Sequence, residues 1–256
     1  MTGEPRFGPL SGFTALFASE LRPWIRTRLG WVQAAIWTAI LVGGMAIPLV
    51  ALRDLSDGAP GGPALSATEL HFALGALVPA IGAVILAHGA ILGERQAGTA
   101  AWILSKPVSR ASFLLAKWAA FAVGLLVTAH LIPSTLGWIV LSTIADEPLA
   151  LGRFAAAAGM AAAPTLWALG LTLFVGTLLP SRGAVLAIGL AVLVGGDVAM
   201  TLVPALAEAG PWLLGRMAVV VAQGGPLVSP WPILATLAGA IVLPLLAVAA
   251  FRRQEV

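Results

Sequence analysis

The apolar residues of this chain fall into long uninterrupted runs, separated by short segments that hold most of the charges, glycines and prolines. Six of these runs reach the length of about 20 residues that a helix needs to cross the hydrocarbon core of a bilayer. They lie near Trp31–Leu52, Phe72–Leu92, Phe113–Ser142, Phe154–Leu179, Ala184–Leu206 and Trp231–Phe251. The pattern predicts six transmembrane helices. The third run is longer than required, so we expect it to tilt or to extend beyond the membrane.

Composition supports an all-α integral membrane protein. Apolar residues make up 59% of the chain and charged residues only 10%, whereas a soluble domain carries about 25% charged residues. A net charge of +3 would suit nucleic acid, but the basic residues lie in short segments beside the apolar runs. The absence of cysteine excludes disulfides, thiolate metal sites and cysteine nucleophiles. We therefore expect residues 1–256 to form a single transmembrane domain that does not bind nucleic acid.

The distribution of lysine and arginine predicts the orientation. With the N-terminus inside, eleven of the 14 basic residues lie inside: Arg6, Arg22, Arg26, Arg28, Arg95, Lys106, Arg110, Lys117, Arg182, Arg252 and Arg253. Three lie outside: Arg53, Arg153 and Arg216. Because cytoplasmic loops carry the excess of lysine and arginine, we expect both termini on the cytoplasmic side of the cell inner membrane.

An amphipathic pattern precedes the first span, in residues 11–29. Its apolar stripe has helical spacing and consists of Phe13, Leu16, Phe17, Leu21, Trp24 and Ile25. Arg22, Arg26 and Arg28 are available for lipid headgroups, so the segment predicts an interfacial helix on the inner leaflet. Pro23 is expected to bend or divide this helix. A simple membrane anchor explains the same residues.

The segment from Gly93 to Lys117 is the one long polar, net-basic segment between two apolar runs. Gly98 and Thr99 are expected to start a short helix, with the Thr99 hydroxyl capping free N–H groups. The helix should continue to Leu104 and stop before Pro107. Ser109 can cap the long helix that follows. A loop whose basic residues only hold the topology is the alternative.

The same segment carries the residues of a known family. They resemble the pattern E-x-x-x-G-T … L-S-x-P-V-x-R … K of ABC-2 type ABC transporter permeases, carried here by Glu94, Gly98, Thr99, Leu104, Ser105, Pro107, Val108, Arg110 and Lys117. The resemblance implies that residues 94–110 form a cytoplasmic coupling helix that sits in a groove of an ATP-binding subunit. The docking residues it implies are Glu94, Arg95, Gly98, Thr99, Trp102, Leu104, Pro107 and Arg110. It also implies that the N-terminal helix frames this dock.

The resemblance implies the transmembrane subunit of an ATP-driven exporter. A second copy of the chain, or a relative, would complete the translocation pathway. ATP and Mg²⁺ would bind to separate ATP-binding subunits, and this chain itself would hold no cofactor. The chain contains no G-x-x-x-x-G-K-[ST], H-E-x-x-H or G-x-S-x-G motif, so we do not expect an enzyme. An ion-coupled secondary transporter and a non-transporting membrane scaffold or assembly factor are the alternatives.

The predicted outer loops differ from one another. The first, Arg53 to Leu70, has the composition of an irregular loop, and the second, around Asp146 and Pro148, is short. The third, residues 207–230, contains an apolar stretch too short to cross a bilayer. It is expected to re-enter the outer leaflet or lie on the interface, as the short re-entrant helices of the resembling family do. An apolar loop packed on neighbouring spans is the alternative.

Asp197 is the most unusual polar residue inside a predicted span. An aspartate in a membrane is costly and usually faces protein or water. It could bind a cationic substrate, relay protons, or pair with a polar neighbour such as His88 or His130. Structural pairing, or a position near the outer interface, explains it equally. The histidines have no spacing that suits a metal, so no metal site is predicted.

Overall fold

A computed structural model describes residues 8–51, 62–144 and 149–254. Arg6, Arg53 and the predicted loop around Asp146 lie outside the described residues. Every regular element in the described part of the chain is helical. Six helical segments are long and apolar enough to cross a membrane: Arg28–Ile47, Leu65–Gln96, Arg110–Thr143, Leu151–Leu178, Arg182–Leu202 and Trp231–Arg252. The prediction of an all-helical membrane protein with six spans is confirmed.

The helices of the first half are α1 (Phe13–Arg26), α2 (Arg28–Ala51), α3 (Gly62–Ala87), α4 (Leu92–Gln96), α5 (Thr99–Leu104), α6 (Arg110–Leu125) and α7 (Ile132–Ile144). A π-helical turn, Leu126–Leu131, joins α6 to α7. The second half contains α8 (Leu151–Leu178), α9 (Arg182–Leu202), α10 (Leu206–Ala209), a 3₁₀ turn (Pro211–Leu213), α11 (Leu214–Ala222) and α12 (Trp231–Arg252).

Of the two effects predicted for Pro23, a bend or a division of the helix, the division does not occur, because α1 is continuous through this proline. The break falls at Thr27, whose backbone is extended with φ −110° and ψ 170°. The Thr27 hydroxyl donates to the Pro23 carbonyl at 2.6 Å and accepts the Leu29 N–H at 3.1 Å. These two bonds satisfy backbone groups at the junction, so α1 ends one turn after the proline and α2 begins at once.

Helix α3 begins at Gly62, ten residues before the predicted start of the second span. The prediction of irregular structure up to Leu70 is therefore wrong for residues 62–70. Pro63 lies in the first turn, where a missing N–H costs no hydrogen bond and the fixed φ suits a helix. The small and polar residues that follow resemble a loop in composition, but their side chains pack in the bundle: Ala67 and Thr68 are buried.

Prolines explain two further departures from regular helix. The π-helical turn Leu126–Leu131 ends two residues before Pro133, whose ring excludes the normal bond to the carbonyl four residues earlier. Helix α9 ends at Leu202, not at the predicted Leu206, because Val203 precedes Pro204 and leaves the helical region with φ −128° and ψ 89°.

Helix α8 is the centre of the bundle and packs against α3, α11 and α12. Small residues make this possible, because a Cβ on Gly170 would lie 3.0 Å from the Pro244 ring of α12. The small residues Ala161–Ala163 of α8 are also buried here, while Gly159 faces open space.

The third outer segment folds into α10, the 3₁₀ turn and α11, which lies between α3 and α8. A Cβ on Gly215 would lie 3.1 Å from the Ala76 side chain of α3. Ala76 is about 16 Å along the helix from Leu65, where the second span begins, at a rise of about 1.5 Å per residue. The start of α11 therefore lies beside the middle of α3, whereas Gly224, two residues beyond the end of α11, lies against the side chain of Arg153 in the first turn of α8.

Candidate docking surface and polar sites

Successive spans cross the bundle in opposite directions, so that α1, α4, α5 and the loop 105–109 lie at the same end of the bundle. We call this end the basic end. The opposite end carries α10 and α11. Most of the residues predicted to dock a partner lie on α4, α5 and the loop 105–109, and the structure shows which of them are available.

Gly98, the residue directly before α5, has a φ of +71°, a left-handed conformation that glycine adopts most easily. The prediction that Thr99 caps free N–H groups is wrong. The Thr99 hydroxyl donates to the Glu94 carbonyl at 3.2 Å, because Thr99 is already the first helical residue and Gly98 holds the capping position. The bond ties α5 back to α4. Ser109 does cap α6 as predicted and accepts the Ser112 N–H at 3.0 Å.

An exposed face on α5 and the loop 105–109 holds four of the predicted residues: Gly98, Thr99, Trp102 and Pro107. Trp102 is 63% exposed, and the Lys106 ammonium lies 3.5 Å from the centroid of its ring. The opposite side of α5 is anchored, since Ala100 is completely buried and Leu104 packs on the core. One side of the helix is therefore fixed on the bundle, while the other side exposes a large aromatic side chain.

Glu94 does not point outward from this face. Its Oε1 accepts a hydrogen bond from the Lys117 ammonium of α6, which also donates to Glu20 Oε1 of α1 at 2.5 Å. Lys117 is buried, and the two glutamate side chains are 25% and 23% exposed. Glu94 therefore holds α4 to the bundle. Gln96, the last residue of α4, accepts a hydrogen bond from Arg182 Nε at the start of α9, at 3.1 Å.

Arg110 also makes hydrogen bonds within the chain. One guanidinium nitrogen donates to the carbonyls of Arg252 at 2.9 Å and Gln254 at 2.6 Å, just beyond the last turn of α12. A cation there satisfies orphan carbonyls and complements the negative end of the helix dipole. Gln254 in turn donates to the Thr177 carbonyl at 2.5 Å. Arg95, the remaining predicted docking residue, is half-buried.

The chain before α1 is hydrogen-bonded to the loop 105–109. The Ser11 hydroxyl donates to the Pro107 carbonyl at 2.8 Å, and the Ser109 N–H donates to the Ser11 carbonyl at 3.1 Å. The Ser109 hydroxyl donates to the Pro9 carbonyl at 2.7 Å. Val108 packs so closely on Gly12 that a Cβ there would lie 2.7 Å from its methyl group.

Sequence reasoning missed Glu20 and the pairing role of Lys117. The signal was present, because Glu20 lies three residues after Phe17 and four before Trp24, on the same helical stripe. A carboxylate on a face that becomes buried needs a basic partner. The sequence alone does not show which of the basic residues supplies it.

Asp197 borders a cavity of about 220 Å³ between α3, α9 and the α10–α11 segment. Arg216 of α11 lines the same cavity, but both ion pairs found in the described residues belong to Lys117. Trp212 forms one wall and donates its indole N–H to the Leu193 carbonyl of α9 at 3.0 Å. Asp197 lies about 8 Å before the end of α9, at a rise of about 1.5 Å per residue.

The structure does not bring Asp197 together with His88 or His130. His88 Nδ1 lies 2.6 Å from the Ile85 carbonyl of its own helix. His130 is in the π-helical turn, where its Nε2 lies 2.8 Å from the Thr165 hydroxyl of α8. His130 also lines a separate cavity of about 390 Å³ between α7 and α8.

The bundle, its six spans and the exposed short helix between the second and third define a class: a multi-pass helical membrane protein with a short exposed helix at one end. The profile of the ABC-2 family transporter proteins matches residues 14–210, from α1 to the end of α10. The chain belongs to this family, whose members are membrane subunits of ABC transporters. No curated protein matches the chain significantly.

Proposed function

We propose that this chain is the membrane subunit of an ATP-driven exporter, and that α4 and α5 dock on a separate ATP-binding subunit. The observation that carries the proposal is the exposed face of α5, with Trp102 outward and Ala100 buried. Exposed tryptophans at the centre of a rigid patch are typical of binding hot spots. The family membership explains why a partner with this role is expected.

In this proposal the ATP-binding subunits hold ATP and Mg²⁺ and perform hydrolysis. The chain contains no phosphate-binding loop of its own. ATP shifts the membrane subunit between states because it binds more tightly to the arrangement in which the ATP-binding subunits meet. A second copy of this chain or a relative completes the pathway, and the basic end faces the cytoplasm of a cell inner membrane.

Because Glu94 is bonded within the bundle, a substitution on the exposed face is the better test of docking. Glu94→Lys would place a second cation against buried Lys117 and disturb the bundle itself. Ala101→Arg is a better variant, because Ala101 is exposed on α5 and its new side chain extends into solvent. We expect this variant to insert and fold normally but to lose an ATP-binding subunit from the same genome with which the wild type co-purifies after co-expression.

The matched control is Val228→Arg, which adds the same side chain at an exposed position at the opposite end. This control should co-purify like the wild type. The proposal fails if the wild type retains no ATP-binding subunit, or if the Ala101→Arg variant retains a full complement and stimulates ATP hydrolysis normally.

A further inference from the structure

Lys117 joins three parts of the chain that are far apart in sequence. It lies on α6 and binds Glu20 of α1 and Glu94 of α4. We propose that Lys117 is a positioning residue that makes α1, α4 and α6 move as one unit, so that a displacement of the docked segment is passed into the third span. This inference rests on the proposed function and names the connection through which docking would act.

The charges of this cluster do not suit a purely stabilising role. Two carboxylates share one ammonium, and the second carboxylate oxygen of Glu94 is buried without a hydrogen-bond partner among the described residues. Burying an incompletely satisfied ion pair costs desolvation that apolar residues of similar size would avoid. Apolar contacts can slide, whereas charged hydrogen bonds hold three helices in one relative arrangement. The cluster is therefore better explained by orientation than by stability.

A second connection joins the same parts. Ser11, just before α1, is bonded to Pro107 and Ser109, just before α6. Helix α1 is thus held to the docking segment at its start and again two turns later, at Glu20. Two separated attachments prevent a helix from pivoting about either one. Displacement of α5 should therefore carry α1 along with the first half of the third span.

The regular helix of this unit ends at a defined place. Helix α6 is continuous to Leu125, and the π-helical turn Leu126–Leu131 follows. Such turns are often points of adjustment within a helix. Thr143 is exposed near the outer end of the same span and can report whether a displacement at the basic end reaches that far.

The test compares the wild type with Glu20→Gln/Glu94→Gln/Lys117→Met, which removes all three charges but keeps the sizes of the side chains. Both carry Thr143→Cys as the single cysteine and are purified with the ATP-binding subunit in nanodiscs, where both faces of the membrane are accessible. The readout is the rate at which an impermeant maleimide labels position 143, with and without ATP and Mg²⁺. In the wild type we expect ATP to change this rate. In the triple variant the ratio of the labelling rates with and without ATP should be one, while association with the ATP-binding subunit and ATP hydrolysis persist.

The control and the single variant separate orientation from folding. Glu69→Gln, at an exposed position near the opposite end, should leave the labelling ratio unchanged. Lys117→Met alone leaves two carboxylates together and should reduce assembly, and adding Glu20→Gln and Glu94→Gln should restore assembly without restoring the ratio. An unchanged ratio in the triple variant overturns the proposal.

Cross-linking tests the same unit in the opposite direction. Ser11→Cys/Ser109→Cys can be oxidised in a chain that has no other cysteine, since a backbone hydrogen bond joins the two residues. If the parts move together, the disulfide should leave ATP hydrolysis at the level of the reduced protein. Inhibition that is relieved by reduction would show that they separate, and would overturn the proposal.

Failure of the proposed function gives a different result. A wild type that binds no ATP-binding subunit, or whose labelling at position 143 ignores ATP, would refute ATP coupling and this inference with it. A wild type that responds to ATP, together with a triple variant that responds equally, would refute only the role of Lys117.

Discussion

Trp102→Ala tests whether the exposed face of α5 binds a partner. Trp102 is 63% exposed, and a tryptophan can bury up to about 250 Å², so roughly 150 Å² is available to an interface. At about 25 cal/mol per Å², complete burial of this area would contribute up to ~4 kcal/mol. Because association has its own costs, we expect a loss of about 2 kcal/mol, which weakens binding by roughly thirtyfold.

The measurement is the affinity of the purified ATP-binding subunit for the chain in nanodiscs. In the unbound chain the substitution removes mainly the contact with Lys106, which at an exposed site contributes about 0.5–1 kcal/mol. The thermal midpoint of the free chain should therefore change little.

The control for this prediction is another exposed tryptophan. Trp231, at the start of α12 and at the opposite end of the bundle, is 62% exposed. Trp231→Ala removes the same side chain with nearly the same exposed fraction and should leave the affinity unchanged. If Trp102→Ala binds within about threefold of the wild type, or if Trp231→Ala is equally weak, the face of α5 is not the dock.

Three further predictions follow from single contacts. Gly30→Ala should cost about 1–3 kcal/mol and lower the thermal midpoint of the chain, because its Cβ would lie 1.8 Å from the Trp24 carbonyl oxygen. Asp197→Asn should lower ATP-stimulated export if the carboxylate carries charge along the pathway, and should be nearly silent if it only accepts hydrogen bonds. An impermeant thiol reagent applied outside intact cells should label Val228→Cys but not Gln96→Cys, since both positions are exposed and lie at opposite ends.

The controls for these three measurements are simple. Gly159→Ala adds the same methyl group where no atom lies within 4 Å, and its thermal midpoint should stay at the wild-type value. Asp197→Leu should reduce assembly if the carboxylate is a structural hydrogen-bond acceptor, and full export by this variant in a normally assembled complex would contradict both roles. Labelling of position 96 in place of position 228 would reverse the proposed orientation.

The apolar runs determined the fold class from the sequence alone. A run of about 20 apolar residues needs only its own backbone hydrogen bonds to be stable in a bilayer, so the six spans are a local property of the chain. Short-range signals also placed the Ser109 cap and the helix from Thr99 to Leu104. The start of α3 was missed because Gly62 and Pro63 suit a loop as well as a first helical turn.

Only the tertiary structure decided what each polar residue does. Glu94, Trp102 and Arg110 belong to one sequence segment, but Glu94 binds Lys117, Arg110 binds the end of α12, and Trp102 faces outward. Glu20 lies 97 residues before Lys117, which it contacts, and Arg252 lies 142 residues after Arg110. A side chain's exposure and its charge partner depend on which helices pack beside it, and no local pattern contains that information.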